Sequence, residues 1–142
     1  IKYLIEEERT RTGLEVTLSS EGDIKELDPL VETVIFRVAQ EALTNVARHA
    51  QCDLAQLRIS YEPKEVTLVV RDDGVGIDNQ PHTSTERGWG IAGMRERVEA
   101  VGGQMFIDST PGQGTTVMAV VPLVNEEVSE EHRHGYNTHL AG

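Results

Sequence analysis

The stretch Arg71–Met94, RDDGVGIDNQPHTSTERGWGIAGM, opens on two adjacent carboxylates and then places glycines at 74, 76, 88, 90 and 93. Glycine lets a backbone turn tightly and approach a ligand closely. Loops of this kind commonly cradle phosphates, yet no Gly-Lys-Ser or Gly-Lys-Thr follows, and a carboxylate repels a phosphate. The two ends therefore suit different chemistry. Asp72, with Gly74 and Gly76 beside it, can accept a hydrogen bond from an exocyclic amine such as adenine carries. Gly88–Met94, GWGIAGM, reads as the opening of a helix, whose free N–H groups form an anion site. The stretch can thus hold both ends of ATP, with a flexible lid between. Taken alone, Asp72–Gly76 is more readily the pattern of a hairpin turn. Its oxygen ligands do not alternate as a calcium loop requires, and no helix follows at the spacing of a dinucleotide fingerprint.

A second constellation lies upstream. Glu41 and Asn45 are four residues apart and share a helix face, with Arg48 one turn further along the same stripe. Glu and Asn offer oxygen ligands, and Mg²⁺ takes oxygen while bridging to substrate phosphates. Arg48 supplies local positive charge. A solvated helix face is the plainer explanation of any one of these residues.

The elements that must position these groups follow from periodicity. Leu30–Ala50 carries apolar residues at Val31, Val34, Ile35, Val38, Ala42, Leu43 and Val46, the spacing of an amphipathic helix. Asp28 is its expected N-cap, with Pro29 at the first helical position. Ile1–Thr12 reads as a short helix or lead-in broken by Gly13, and Leu14–Ser19 alternates as a half-buried strand. LAQLRISYE and EVTLVVRD form a hairpin joined at EPKE. GIAGMRERVEAVGG is a second amphipathic helix, stopped at Gly102-Gly103. QMFIDST and TTVMAVVPL are two further strands linked by PGQG. Strands adjoin each other, so the expected class is α+β, an α/β sandwich with a mixed β-sheet backed by helices.

The bulk numbers bound the function. The chain has 142 residues, enough for one domain, 38% hydrophobic and 26% charged residues, and a net charge of −11. That charge argues against a nucleic-acid partner. A polyanionic small ligand remains open if backbone N–H groups, a metal ion and a few cations hold it. A single cysteine, Cys52, allows no internal disulfide and agrees with a reducing, cytoplasmic setting. With no cluster of Cys or His around it, Cys52 does not suggest zinc. No apolar run is long enough to span a membrane and no signal peptide is visible. The chain starts at Ile1 rather than Met and reads as a piece of a longer protein, which could itself be membrane-anchored. Residues 1–124 are expected to form the domain. Residues 125–142, acidic and polar with three histidines, are expected to be a disordered tail.

In order along the chain, QEALTNVARHA, DDGVGI, GWGIAGM and GQGTTVMAVVP resemble the ATP-binding domain shared by gyrase-type ATPases, the large heat-shock chaperone, sensor histidine kinases and MutL-type repair proteins. FRVAQEALTNVARHA, the most specific phrase, is most similar to histidine kinases whose response regulators are of the NarL type. The resemblance spans residues 14–124. It implies a Bergerat-type fold with ATP between helices and a mobile ATP lid. It implies that Asn45 ligates Mg²⁺ and that Glu41, one turn earlier, positions the metal or assists catalysis. Arg48 matches a phosphate-contacting basic residue and Asp72 the aspartate that binds the adenine amine, with Gly74 and Gly76 beside it. Gly88, Gly90 and Gly93 match the second glycine box. Thr115 matches the threonine near that aspartate, with Thr116 as the neighbouring candidate.

The resemblance also implies partners: ATP, an upstream dimerisation domain bearing the phosphoacceptor histidine, and a response regulator. In this subclass that histidine precedes an acidic residue. His49, His82, His132, His134 and His139 precede Ala, Thr, Arg, Gly and Leu, so none fits, and the fragment is expected to be monomeric and unable to autophosphorylate alone. Two other functions share the motifs: an anti-sigma-type serine protein kinase, and a regulatory module that binds nucleotide without transfer. Trp89 is expected either to pack over nucleotide or to cap the core.

Overall fold

The computed structural model describes residues 1–23, 26–49, 51–76 and 84–123. The expected tail therefore lies outside the described residues, as do His82 and the side chain of Trp89. Helix α1 spans Lys2–Thr12 and strand β1 Glu15–Glu21. Helix α2 spans Pro29–His49, followed by β2 (Leu54–Tyr61) and β3 (Glu65–Asp72). Helix α3 spans Ser84–Ala100, and β4 (Gln104–Thr110) and β5 (Gly114–Pro122) complete the order.

Each boundary has a local cause. α1 ends where Gly13 turns left-handed at φ 80° and donates its N–H to the Arg9 carbonyl, a conformation glycine adopts without strain. Asp28 caps α2 as expected, its Oδ1 accepting the Leu30 N–H at 2.8 Å. α3 closes in a Schellman turn, in which Gly102 N–H bonds Glu99 O and Gly103 N–H bonds Val98 O, both at 2.9 Å. Glu62 N–H to Glu65 O at 2.9 Å closes the β2–β3 hairpin.

The sheet order is β1-β2-β3-β5-β4. β1 runs parallel to β2, with α2 as the crossover, and the other pairings are antiparallel. This is the mixed α+β sheet that the strand and helix order implied. One sheet face carries Leu57, Leu68, Val70, Ala119 and Val121 into a core shared with Val34, Val38 and Leu43 of α2 and Met94 and Val98 of α3. The other face carries Thr17, Gln56, Arg58, Thr67, Arg71 and Thr116. Alternation along each strand separates the two sets. No helix among the described residues is long and apolar enough to cross a membrane.

The core contains one buried carboxylate that the function does not need. Glu8 of α1 is 2% exposed. Its Oε1 accepts from the Arg11 guanidinium and from Thr44 Oγ1 of α2. Its Oε2 has no hydrogen-bond partner among the described residues. Replacing both members of such a pair by apolar side chains of similar size removes the desolvation penalty. Glu8→Met combined with Arg11→Met is therefore expected to stabilise the domain by about 1–3 kcal/mol, read as a higher urea midpoint with an unchanged slope. A lower midpoint would show that the Thr44 and Arg11 contacts outweigh the orphaned oxygen.

Candidate functional site

The cavity that gathers the sequence candidates lies between α2, α3 and the ends of β3, β4 and β5. Its walls are apolar: Ala42 and Val46 from α2, Val70 and Val117 from the sheet, Ile91 and Met94 from α3, and Ile107 from β4. Its polar groups are few, namely Asn45, His49, Asp72 and Thr115, with the backbone of Gly76. Mostly apolar walls with a small number of placed polar groups are what a planar heteroaromatic ligand requires. The cavity is open to solvent on one side, with ≈ 480 Å³ of empty space counting its mouth.

Asp72 is the last residue of β3 and is 5% exposed. Its Oδ1 accepts the Gly74 N–H at 2.8 Å, which fixes the carboxylate against its own turn. That turn is braced by the neighbouring β4–β5 turn at the same end of the sheet. Gly112 N–H donates to Val75 O at 2.7 Å. Gly76, at φ +77°, lies so close to Thr110 that a Cβ there would come 3.0 Å from the Thr110 carbonyl carbon. Gly114, at φ +93°, packs equally tightly on the Asp72 backbone. Gly76 and Gly114 therefore serve a clasp between the β3 end and the β4–β5 turn. Residues 77–83, the first part of the expected lid, lie outside the described residues.

Asn45 projects from α2 into the cavity and Glu41 sits one turn earlier, half-buried. Glu41 meets α3 at Gly90, where a Cβ would lie 3.3 Å from Glu41 Cδ and closer still to Oε1. The missing side chain at Gly90 lets the two helices approach over this carboxylate. Around Gly93, by contrast, a Cβ would meet nothing within 4 Å.

Two expectations need correction, on the start of α3 and on Thr116. GWGIAGM does not open its helix, since α3 begins at Ser84. Gly88, Gly90 and Gly93 thus lie within α3, and the first-turn N–H groups belong to the residues from Ser84 onward. Thr116 is not at the cavity. Successive strand residues face opposite ways, so Thr115 lines the cavity while Thr116 lies on the open sheet face. Arg48 is exposed and does not line the cavity. The α2 residue that does is His49, four residues after Asn45. That i+4 spacing was available in the sequence.

Sequence reasoning also missed Ser109. It pairs with Thr115 across β4–β5, and Thr115 pairs with Asp72 across β3–β5. The two hydroxyl oxygens are 2.9 Å apart. No single-strand pattern reveals this row, because it needs the register of three strands.

Cys52, in the β2 approach, donates weakly to Leu54 O at 3.5 Å. Burial pushes its thiol up from the usual cysteine range, the Leu54 hydrogen bond opposes this, and the charges of Asp72, Asp53 and Asp73 add to it. A thiol held protonated is a poor nucleophile and a poor metal ligand.

Among the described residues no group of three or more His, Cys, Asp or Glu converges as a metal site. Mg²⁺ carried by a nucleotide needs less, because phosphates and water fill most of its octahedron. The Asn45 amide oxygen and the Glu41 carboxylate, one turn apart, fit that smaller demand.

Comparison with known proteins bears on this arrangement. The model of the histidine kinase-, DNA gyrase B- and HSP90-like ATPase family matches residues 31–125. The signal transduction histidine-protein kinase/phosphatase DegS of Brevibacillus brevis is 32% identical over 127 residues, covering 89% of this chain and 32% of that one. The oxygen sensor histidine kinase NreB of Staphylococcus carnosus is 34% identical over 113 residues, covering 80% and 32%. The chain thus spans about a third of the length of these curated relatives. Among solved structures, the histidine kinase domain of the Erythrobacter litoralis blue-light activated kinase superposes with a TM-score of 0.70 at 25% identity, over 86% of this chain and 60% of that one.

Proposed function

Because the chain belongs to the histidine kinase-, DNA gyrase B- and HSP90-like ATPase family, we propose that it is the ATP-binding catalytic domain of a two-component sensor histidine kinase. The observation that carries this reading is the buried Asp72 carboxylate, fixed at the end of β3 in an apolar cavity whose other wall presents Asn45. The relatives are sensor histidine kinases, which favours this reading over a serine kinase of the same fold.

In this reading the adenine ring lies between Val70 and Val117 on the sheet side and Ile91 and Met94 on α3. Its amine donates to Asp72, with Thr115 alongside. The triphosphate runs out past Asn45 towards Glu41, Arg48 and the glycines of α3. Asn45 and Glu41 hold Mg²⁺, which when bound neutralises phosphate charge. The γ-phosphoryl passes to a histidine on the dimerisation domain of the parent, the bond to ADP breaking as the bond to the imidazole nitrogen forms. The chain's contribution is mainly positioning and charge compensation. The parent passes the phosphoryl on to a response regulator of the NarL type.

Calorimetric titration with a non-hydrolysable ATP analogue tests the reading. The chain should bind it, more tightly with Mg²⁺ than without. Asn45→Ala should retain the metal-independent part and lose most of the gain from Mg²⁺, about tenfold in affinity. Absence of binding under both conditions, or a full Mg²⁺ gain in Asn45→Ala, would sink it.

A further inference from the structure

We propose that Ser109 sets the hydrogen-bond polarity of the base-binding corner and thereby selects a 6-amino purine over a 6-oxo purine. The inference rests on the nucleotide reading above and assigns a role to a residue outside the binding motifs.

Ser109 Oγ lies 3.3 Å from the Gly114 carbonyl oxygen and 2.9 Å from Thr115 Oγ1. A carbonyl oxygen can only accept, and a serine hydroxyl carries one proton. Once that proton is directed at Gly114 O, Thr115 must be the donor in the 2.9 Å contact. The Thr115 oxygen then has only lone pairs left for the cavity. Its neighbour in the register, Asp72, is likewise acceptor-only as a carboxylate, and its Oδ1 already takes the Gly74 N–H. The corner therefore presents two acceptor groups. An exocyclic amine brings two N–H donors, directly or through one water, and satisfies both. A 6-oxo group brings lone pairs, which face both acceptors and leave them unmatched in a mostly apolar corner. Sites built to bond one hydrogen-bonding pattern reject the reversed one strongly for this reason.

Ser109 is thus a positioning residue, acting through Thr115. Without its oxygen, the Thr115 hydroxyl can rotate and offer its proton to a 6-oxo group. Its loss should be felt in selectivity more than in affinity.

The test is calorimetry with Mg²⁺ on the whole chain, using a non-hydrolysable ATP analogue and its inosine counterpart. Wild type should prefer the adenine nucleotide. Ser109→Ala should lower that preference about tenfold, mainly by improving inosine binding. Ser109→Thr, which keeps the hydroxyl, should restore it. In a Thr115→Val background, Ser109→Ala should move the ratio no further, an outcome that a general loosening of β4 would not produce. If wild type binds the adenine nucleotide and Ser109→Ala leaves the preference unchanged, this inference falls while the nucleotide site stands. If wild type binds neither nucleotide, both fall.

Discussion

Asp72→Asn is expected to weaken binding of an ATP analogue by about 100-fold, while leaving the fold intact. The substitution is nearly isosteric, so the effect comes from hydrogen-bond direction. The Gly74 N–H, 2.8 Å from Asp72 Oδ1, needs an acceptor. The asparagine amide oxygen will take that place, and its NH₂ will then point into the cavity. There it faces the donor amine of adenine. A charge-assisted hydrogen bond is lost and a buried donor is left unpaired, together about 3 kcal/mol. The measurement is a dissociation constant by calorimetry, beside a denaturation curve to establish that the variant is folded. An affinity within a few-fold of wild type would show that the base does not sit against Asp72.

Gly114→Ala is expected to be a strongly damaging single-methyl addition. Gly114 adopts φ +93°, and a Cβ there would lie 2.9 Å from the Asp72 carbonyl carbon and 2.9 Å from Asp73 Cα. Both are backbone atoms of the neighbouring strand end and its turn, so nothing flexible can give way. Backbone strain and overpacking together should destabilise the domain by about 3 kcal/mol or more. The same displacement should carry Asp72 out of position and remove nucleotide binding. Gly112→Ala is the control: it has a similar φ of +81° but open space around its Cβ. It should lose only the conformational preference, about 1 kcal/mol, and keep its hydrogen bond to Val75 O. Equal losses in the two variants would mean that the clasp between the β3 end and the β4–β5 turn is not what shapes the site.

Much of the site is legible before folding because its signals are local. The Asp28-Pro29 cap and the apolar stripe of α2 place Glu41 and Asn45 on one helix, since both depend on residues within a turn or two. Asp72 falls at a strand end because alternation stops at a glycine-rich turn. Neighbours on a helix surface are less certain. Arg48 and His49 flank the direction in which Asn45 points, three and four residues on. Only the packing of α3 decides that His49 meets the cavity and Arg48 meets solvent.

The strands, the helix over Leu30–Ala50 and the ordered motifs were legible from local pattern, whereas the start of α3 at Ser84 was not. Periodicity and capping are properties of adjacent residues and survive without any tertiary contact. Tertiary structure alone decided that β1 pairs parallel to β2, and that Thr115 rather than Thr116 faces the cavity. It alone set Asp72, Thr115 and Ser109 in one row across three strands. Those facts depend on register between residues distant in the chain, and register is chosen by which apolar faces can be buried together. A one-residue slip would leave each strand's local pattern unchanged and dismantle the site.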